Sequence, residues 1–242
     1  MLKKKILSLL VMIFTFSSLS FASKDYVIDT PTVDILDCGF GDIRLKFFSN
    51  GNLLSGVNFG VFKRLNVGMS LELSRFIGKS GDGLKVALPA LQIKFKAYDG
   101  NMCYPGIAVG YDGQGCFFDG KCKKHNSNYL QRGLGFYFVI GREFFIENLM
   151  INIGVNFNNK VNWFINLLIP LYREALYFIA ECSNISYLPN ARLNFGFKFA
   201  LTECINIDYV VRDCCFWKKG CSKTNDRFFN ERIFRINYTI KF

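Results

Sequence analysis

The sequence predicts an all-β protein, a closed antiparallel up-and-down transmembrane β-barrel of about 12 strands. Two observations support this fold. From Asp42 onward, apolar and polar residues alternate with a period of two, the period of side chains along a β-strand. The connections between the alternating segments also sort by length, with short turns at one end of the barrel and long loops at the other.

The clearest alternation lies in the closing segment, IFRINYTIKF. Its apolar residues share one face of a strand: Phe234, Ile236, Tyr238, Ile240 and Phe242. An aromatic residue closing such an alternation resembles the terminal signal by which Gram-negative outer-membrane barrels are recognised for insertion. This resemblance implies a bacterial outer-membrane location, with membrane lipid and, during insertion, the barrel assembly machinery as partners.

The same period predicts the other strands. We expect strands at 42–49, 55–63, 66–76, 89–98, 106–113, 133–142, 147–157, 162–170, 174–183, 191–201, 203–213 and 231–242. Segment 162–170 is the least regular, because it is apolar on both faces and contains Pro170. A helix or an inward loop there would change the strand count.

The connection lengths are an independent indication. With the first hairpin loop placed outside the cell, the external connections are 50–54, 77–88, 114–132, 158–161, 184–190 and 214–230. The periplasmic connections are 64–65, 99–105, 143–146, 171–173 and 202. The three longest connections all fall on the external side, as in membrane barrels.

The amino end predicts export. Three lysines precede an apolar run from Ile6 to Phe16, and small residues follow, which indicates a signal peptide over 1–22 cleaved near Ala22. Residues 23–41 show no clear period, so we expect a periplasmic lead-in before a barrel over 42–242. The chain carries a net charge of +11, but export separates it from nucleic acid, so we expect no nucleic acid partner.

The polar faces of the strands predict the barrel interior. The expected basic residues of the lumen are Arg44, Lys46, Lys94, Lys96, Arg192, Lys198, Arg212, Arg235 and Lys241. The expected acidic residues are Glu72, Glu181 and Asp208. Two interpretations remain open: a network of ion pairs that fills a small barrel, or a basic constriction that favours anionic polysaccharide or small anionic solutes.

The cysteines and the single histidine predict no cofactor or metal. A disulfide bridge is expected within the set Cys116, Cys122, Cys214, Cys215 and Cys221, which falls in two long loops. A zinc site on Cys116, Cys122 and His125 lacks the Cys-x-x-Cys pairs of structural zinc motifs and is surrounded by lysines. One histidine also excludes every mechanism that needs two imidazoles.

Several segments together resemble a narrower group. They are NVGMSLELSRFIG (66–78), PALQIKFKAYDG (89–100), PGIAVGYDGQG (105–115), NYLQRGLGFYFVIGREF (128–144) and IAECSN (179–184). They look like the YjbH-like bacterial barrels linked to exopolysaccharide production. The resemblance implies the barrel fold and a role in exopolysaccharide export. Together with the basic lumen, it leads us to predict a non-enzymatic, structural or envelope-associated barrel that is linked to exopolysaccharide export or acts as a narrow, porin-like pore for anions.

One motif offers an enzymatic alternative. His125, Asn126, Ser127 and Asn128 resemble the His-x-Ser-Asn element of outer-membrane phospholipases and lipid A deacylases. In that chemistry the imidazole takes the serine proton and the alkoxide attacks a lipid ester. The orienting residue expected about a dozen positions after the serine is Val139 here, so we predict no enzyme. Lipid hydrolysis by the purified protein, lost on Ser127→Ala, would identify the esterase instead.

Overall fold

A computed structural model describes residues 25–78, 84–101, 104–113, 134–144, 149–158, 160–172, 175–186, 191–212, 214 and 231–242. Within these residues the strands are β1 (Phe40–Phe48), β2 (Asn52–Phe62), β3 (Leu65–Ser74), β4 (Lys85–Val86), β5 (Ala90–Tyr98), β6 (Gly106–Asp112), β7 (Gly135–Phe144), β8 (Leu149–Asn158), β9 (Lys160–Tyr172), β10 (Leu176–Ser183), β11 (Arg192–Ala200), β12 (Ile205–Arg212) and β13 (Glu231–Lys241). A single 3-10 turn, Ser49–Gly51, joins β1 to β2.

Twelve of these strands close into one antiparallel barrel. Each pairs with its neighbour in the chain, and β13 pairs with β1 from Phe40 opposite Lys241 to Phe47 opposite Phe234. The two-residue β4 pairs only with the end of β3. The predicted fold class is therefore confirmed, and the closing segment pairs with the first strand as expected.

The irregular segment 162–170 is a strand. It forms most of β9, which pairs with β8 and β10. Pro170 lies opposite Tyr177, next to a register shift between Leu176 and Tyr177. Because proline lacks a backbone N–H, its place beside an irregularity near a strand end leaves most of the ladder intact.

The distribution of side chains is the reverse of that in a water-soluble protein. Large apolar residues are exposed on the outside, for example Met69, Ile153 and Trp163. Asparagines and charged residues are buried inside, for example Asn152 and Glu181. The three longest intervals between barrel strands, 75–89, 113–134 and 213–230, all lie at the same end. No helix in the described residues is long and apolar enough to cross a membrane.

Residues 25–36 lie inside the barrel, and we call this segment the plug. The chain turns back on itself, because Tyr26 forms a bridge with Pro31 and the Val27 N–H donates to the Thr30 carbonyl at 3.1 Å. The tip of the turn holds Ile28 and Asp29.

The plug departs from the sequence expectation, which placed residues 23–41 in the periplasm as a lead-in. The structure has residues 25–36 in the lumen, and β1 already begins at Phe40. The physical reason is that the wall supplies hydrogen-bond and ionic partners for the polar groups of this segment. The expected signal peptide over 1–22 lies outside the described residues.

Close packing between neighbouring strands depends on glycine at Gly110 of β6. A Cβ there would lie 2.5 Å from the carbonyl oxygen of Ile93 and closer still to the Tyr137 hydroxyl. At Gly56 of β2 the nearest atom, the carbonyl oxygen of Met69, would be 3.8 Å away, which is an ordinary contact.

We therefore expect Gly110→Ala to lower the free energy of unfolding by about 1–3 kcal/mol, the usual cost of overpacking. Gly56→Ala is the matched control and should have little effect. Urea unfolding of the purified barrel in detergent, followed by tryptophan fluorescence, measures both. Equal midpoints for the two variants would contradict the close approach at Gly110.

Candidate functional site

The lumen is the candidate site, and most of the predicted lumen residues are buried. The buried ones are Arg44, Lys46, Glu72, Lys94, Glu181, Lys198, Asp208, Arg212 and Arg235. Lys96 and Arg192 are partly exposed, and Lys241 is exposed at the end of β13, with its ammonium 5.9 Å from the centre of the Phe40 ring.

The sequence analysis missed three buried acids of the wall: Asp42, Asp112 and Glu231. Alternation could have found two of them, because Asp42 shares its strand face with Arg44, and Glu231 shares its face with Arg235. With these acids included, the described wall holds six buried cations (Arg44, Lys46, Lys94, Lys198, Arg212, Arg235) and six buried carboxyl groups. The wall is therefore more balanced in charge than the sequence analysis expected.

At its tip the plug is held by ion pairs. The Asp29 carboxylate contacts the Lys46 ammonium and lies 3.2 Å from the Arg212 guanidinium. Burial alone would raise the pKa of Asp29, but Lys46 and Arg212 outweigh it and hold that pKa well below its usual value. Arg212 also donates to Glu231 at 2.7 Å, and the backbone N–H of Ser49 donates to Glu231 at 2.9 Å.

A second ionic contact holds the start of the plug. The Asp25 carboxylate pairs with the Lys94 ammonium and lies 3.8 Å from the Arg44 guanidinium. Lys94 also donates to the carbonyl oxygens of Asp25 and Asp34. The Asp34 carboxylate lies 3.5 Å from the Lys96 ammonium. Each carboxylate of the plug therefore faces at least one cation of the wall.

Wall side chains also satisfy the backbone of the plug near Thr30. Glu181 accepts hydrogen bonds from the backbone N–H groups of Asp29 at 2.9 Å and Thr30 at 3.1 Å, and from the Thr30 hydroxyl at 2.8 Å. Asn166 donates to the Thr30 hydroxyl oxygen at 2.9 Å and to the Pro31 carbonyl at 3.0 Å. Buried backbone groups of an irregular segment need such partners, because no neighbouring strand supplies them.

Arg235 and Asn152 also form hydrogen bonds with backbone groups of the plug, on either side of its turn. Arg235 donates to the carbonyl oxygens of Val27 and, at 3.0 Å, Ile28. The backbone N–H of Val33 donates to the Asn152 side-chain oxygen at 3.0 Å. The plug is thus bound through its backbone as well as through its carboxylates.

Apolar contacts complete the packing of the plug. Val27 and Ile28 belong to a buried cluster with lumen-facing residues of the wall: Phe48, Leu54, Met150, Leu168, Tyr177, Ile179, Val210 and Ile233. Val33 belongs to a second cluster with Ala108, Tyr137, Val139 and Phe164. At the level of the plug, the interior therefore combines ion pairs with the apolar packing of an ordinary protein core.

Most residues of the predicted esterase and disulfide sites lie outside the described residues. His125 and Ser127 of the esterase alternative lie outside the described residues, as do Cys116, Cys122, Cys215 and Cys221. Cys214 is buried just after β12, so the disulfide within this set stays a prediction. Across the described ranges, no three His, Cys, Asp or Glu residues lie together in a way that could hold a metal ion.

The fold and the site define the chain as a closed twelve-stranded β-barrel whose lumen contains residues 25–36 of the same chain. Among solved structures it is similar to one described as a KdgM porin, at 9% identity and a TM-score of 0.48, over 84% of this chain and 99% of that one. It is also similar to the Acinetobacter baumannii outer membrane protein Omp33, at 8% identity and a TM-score of 0.42, over 86% and 99%.

Comparison with family models and with curated proteins found no match. The resemblance of five segments to the YjbH-like group therefore stays a prediction.

The buried pair of Asp25 and Lys94 predicts a large effect of substitution. Asp25→Asn leaves the buried Lys94 ammonium without its carboxylate, while Arg44 keeps Asp42 at 3.6 Å, and it should lower the free energy of unfolding by about 3 kcal/mol. Asp99→Asn is the control, because Asp99 pairs with Arg64 at 2.6 Å but both side chains are about half exposed. That loss should stay below about 1 kcal/mol. Chemical unfolding of both variants measures the difference, and equal losses would contradict a buried ionic contact.

Proposed function

We propose that this chain is a non-enzymatic β-barrel of the bacterial outer membrane that forms a narrow, anion-favouring pore restricted by its plug. The observation that carries the proposal is the set of buried wall cations that converge on the plug: Arg44, Lys46, Lys94, Arg212 and Arg235. Cations that line a narrow passage lower the barrier for anions and raise it for cations.

The outer surface supports the membrane location. Exposed large apolar side chains lie on every barrel strand except β10, and an extensive apolar surface of this kind marks contact with lipid. Aromatic residues are exposed near strand ends, among them Phe136, Trp163, Tyr98 and Tyr172. Aromatic girdles at the two membrane interfaces are typical of outer-membrane barrels.

The exopolysaccharide role expected from the YjbH-like resemblance is a narrower version of this proposal. An acidic polysaccharide is one anion that a basic passage could admit. Loss of secreted polysaccharide on deletion of the gene, restored by the unaltered chain, is the observation that would favour this cargo over small solutes.

The membrane location predicts a depth-dependent cost of charge. Ile153 lies in the middle of β8 and is 51% exposed, whereas Leu171 lies near the end of β9 and is 53% exposed. Ile153→Arg should lower the free energy of unfolding by about 2–4 kcal/mol and Leu171→Arg by at most about 1 kcal/mol, because the penalty for a charge facing lipid falls toward the membrane interface. Unfolding in lipid vesicles measures both. If the barrel were surrounded by water, the two substitutions would lower the free energy of unfolding by equal amounts.

Planar-bilayer recording of the full-length chain tests the pore. We expect small conductance steps, because the plug occupies the lumen, and a reversal potential displaced toward that of chloride in a salt gradient. Cation preference would contradict the anion-favouring passage. A folded barrel that gives no steps at all would eliminate the pore and leave a structural role in the envelope.

A further inference from the structure

The contacts between the plug and the wall resemble those between an anionic ligand and its binding site. Three side-chain carboxylates on one short segment, Asp25, Asp29 and Asp34, each face cations of the wall. We propose that these wall cations form a binding tract for organic anions that carry several carboxylates, and that the plug occupies the tract as a built-in competitor. The proposal rests on the proposed function, since it names the solute class and the regulation of the same passage.

The cations converge on the plug from separate parts of the wall. Asp29 lies between Lys46 of β1 and Arg212 of β12. Asp25 lies between Arg44 of β1 and Lys94 of β5. Strands β1, β5 and β12 are separated by other strands in the barrel, so the tract spans the lumen and does not follow a single strand.

Two of these cations depend on the plug. Among the described residues, the ion pairs of Lys46 and Lys94 are formed only with Asp29 and Asp25. Their ammonium groups are almost completely buried. When the plug leaves, Lys46 and Lys94 lose the carboxylates that pair with them in the plugged lumen. An incoming anion can then pair with these two ammonium groups.

The remaining contacts suit an oxygen-rich ligand. Arg235 donates to the carbonyl oxygens of Val27 and Ile28, and Asn166 donates to the carbonyl oxygen of Pro31. In these three hydrogen bonds the acceptors are carbonyl oxygens of the backbone. Hydroxyl or carboxylate oxygens of a ligand can accept the same hydrogen bonds.

Competition then follows from shared partners. An anion that pairs with Lys46, Lys94 and Arg212 does so only when Asp25 and Asp29 have left them. Because the ligand binds the state without the plug, it shifts the equilibrium toward that state. Displacement of the plug thereby opens the passage to the anion that displaces it.

The first experiment uses the unaltered full-length chain in detergent micelles and follows amide hydrogen exchange of residues 25–36 by mass spectrometry. Citrate, a tricarboxylate, should speed exchange in this segment, while sodium chloride at the same ionic strength should not. Exchange in the strands should stay unchanged. No difference between citrate and chloride would overturn the proposal, and an equal effect of sulfate would overturn the preference for carboxylates.

The second experiment uses the double variant Asp25→Asn with Asp29→Asn, and as the control Glu203→Gln, which changes an exposed carboxyl group in the turn between β11 and β12. In planar bilayers the double variant should give larger steps than the unaltered chain, with stronger anion preference, and citrate should block them. The control should behave like the unaltered chain. A folded double variant with unchanged conductance would overturn the proposal.

The outcomes separate the two proposals. Absence of conductance steps in the unaltered chain defeats the proposed pore, and cation preference defeats its anion-favouring passage. Small anion-favouring steps that respond neither to citrate nor to the double substitution defeat only the binding tract. If the double variant does not fold, the exchange experiment on the unaltered chain still decides.

Discussion

The pairing of β13 with β1 is the constraint on which the rest of the structure depends. The two edges of an open sheet leave rows of backbone N–H and C=O groups without partners, and closing the sheet removes both edges. Eight residue pairs, from Phe40 opposite Lys241 to Phe47 opposite Phe234, make this closure. The register also decides which face of β13 turns inward, and it places Arg235 next to Lys46 of β1.

Closure creates a second problem, because it encloses charged side chains. Six cations and six acids of the described wall are buried, and some cations lie where no wall carboxylate pairs with them. The plug supplies carboxylates at those places. In this view the plug is part of the electrostatic balance of the lumen as well as an obstruction, which explains why its ionic contacts and its proposed competition with anions involve the same residues.

The interior is also less uniformly polar than a water-filled channel. Leu168, Ile179 and Ile233 face inward and pack with Val27 and Ile28 of the plug. An apolar wall patch would be costly to expose to water, so its packing favours the plugged state in addition to the ion pairs. The exchange experiment measures whether binding of an anion outweighs the apolar packing and the ion pairs that hold the plug in place.

The sequence by itself determined the strands, their alternation, the even strand count and most of the buried charges, because these properties depend on a period of two along the chain. The same rule extends to Asp42 and Glu231. Only the tertiary structure decided the position of the plug, since residues 25–36 have no period and their partners are remote. Asp29 and Arg212 are 183 positions apart, and Thr30 and Glu181 are 151 apart. Such pairs exist only after the barrel has closed and brought its wall around the segment.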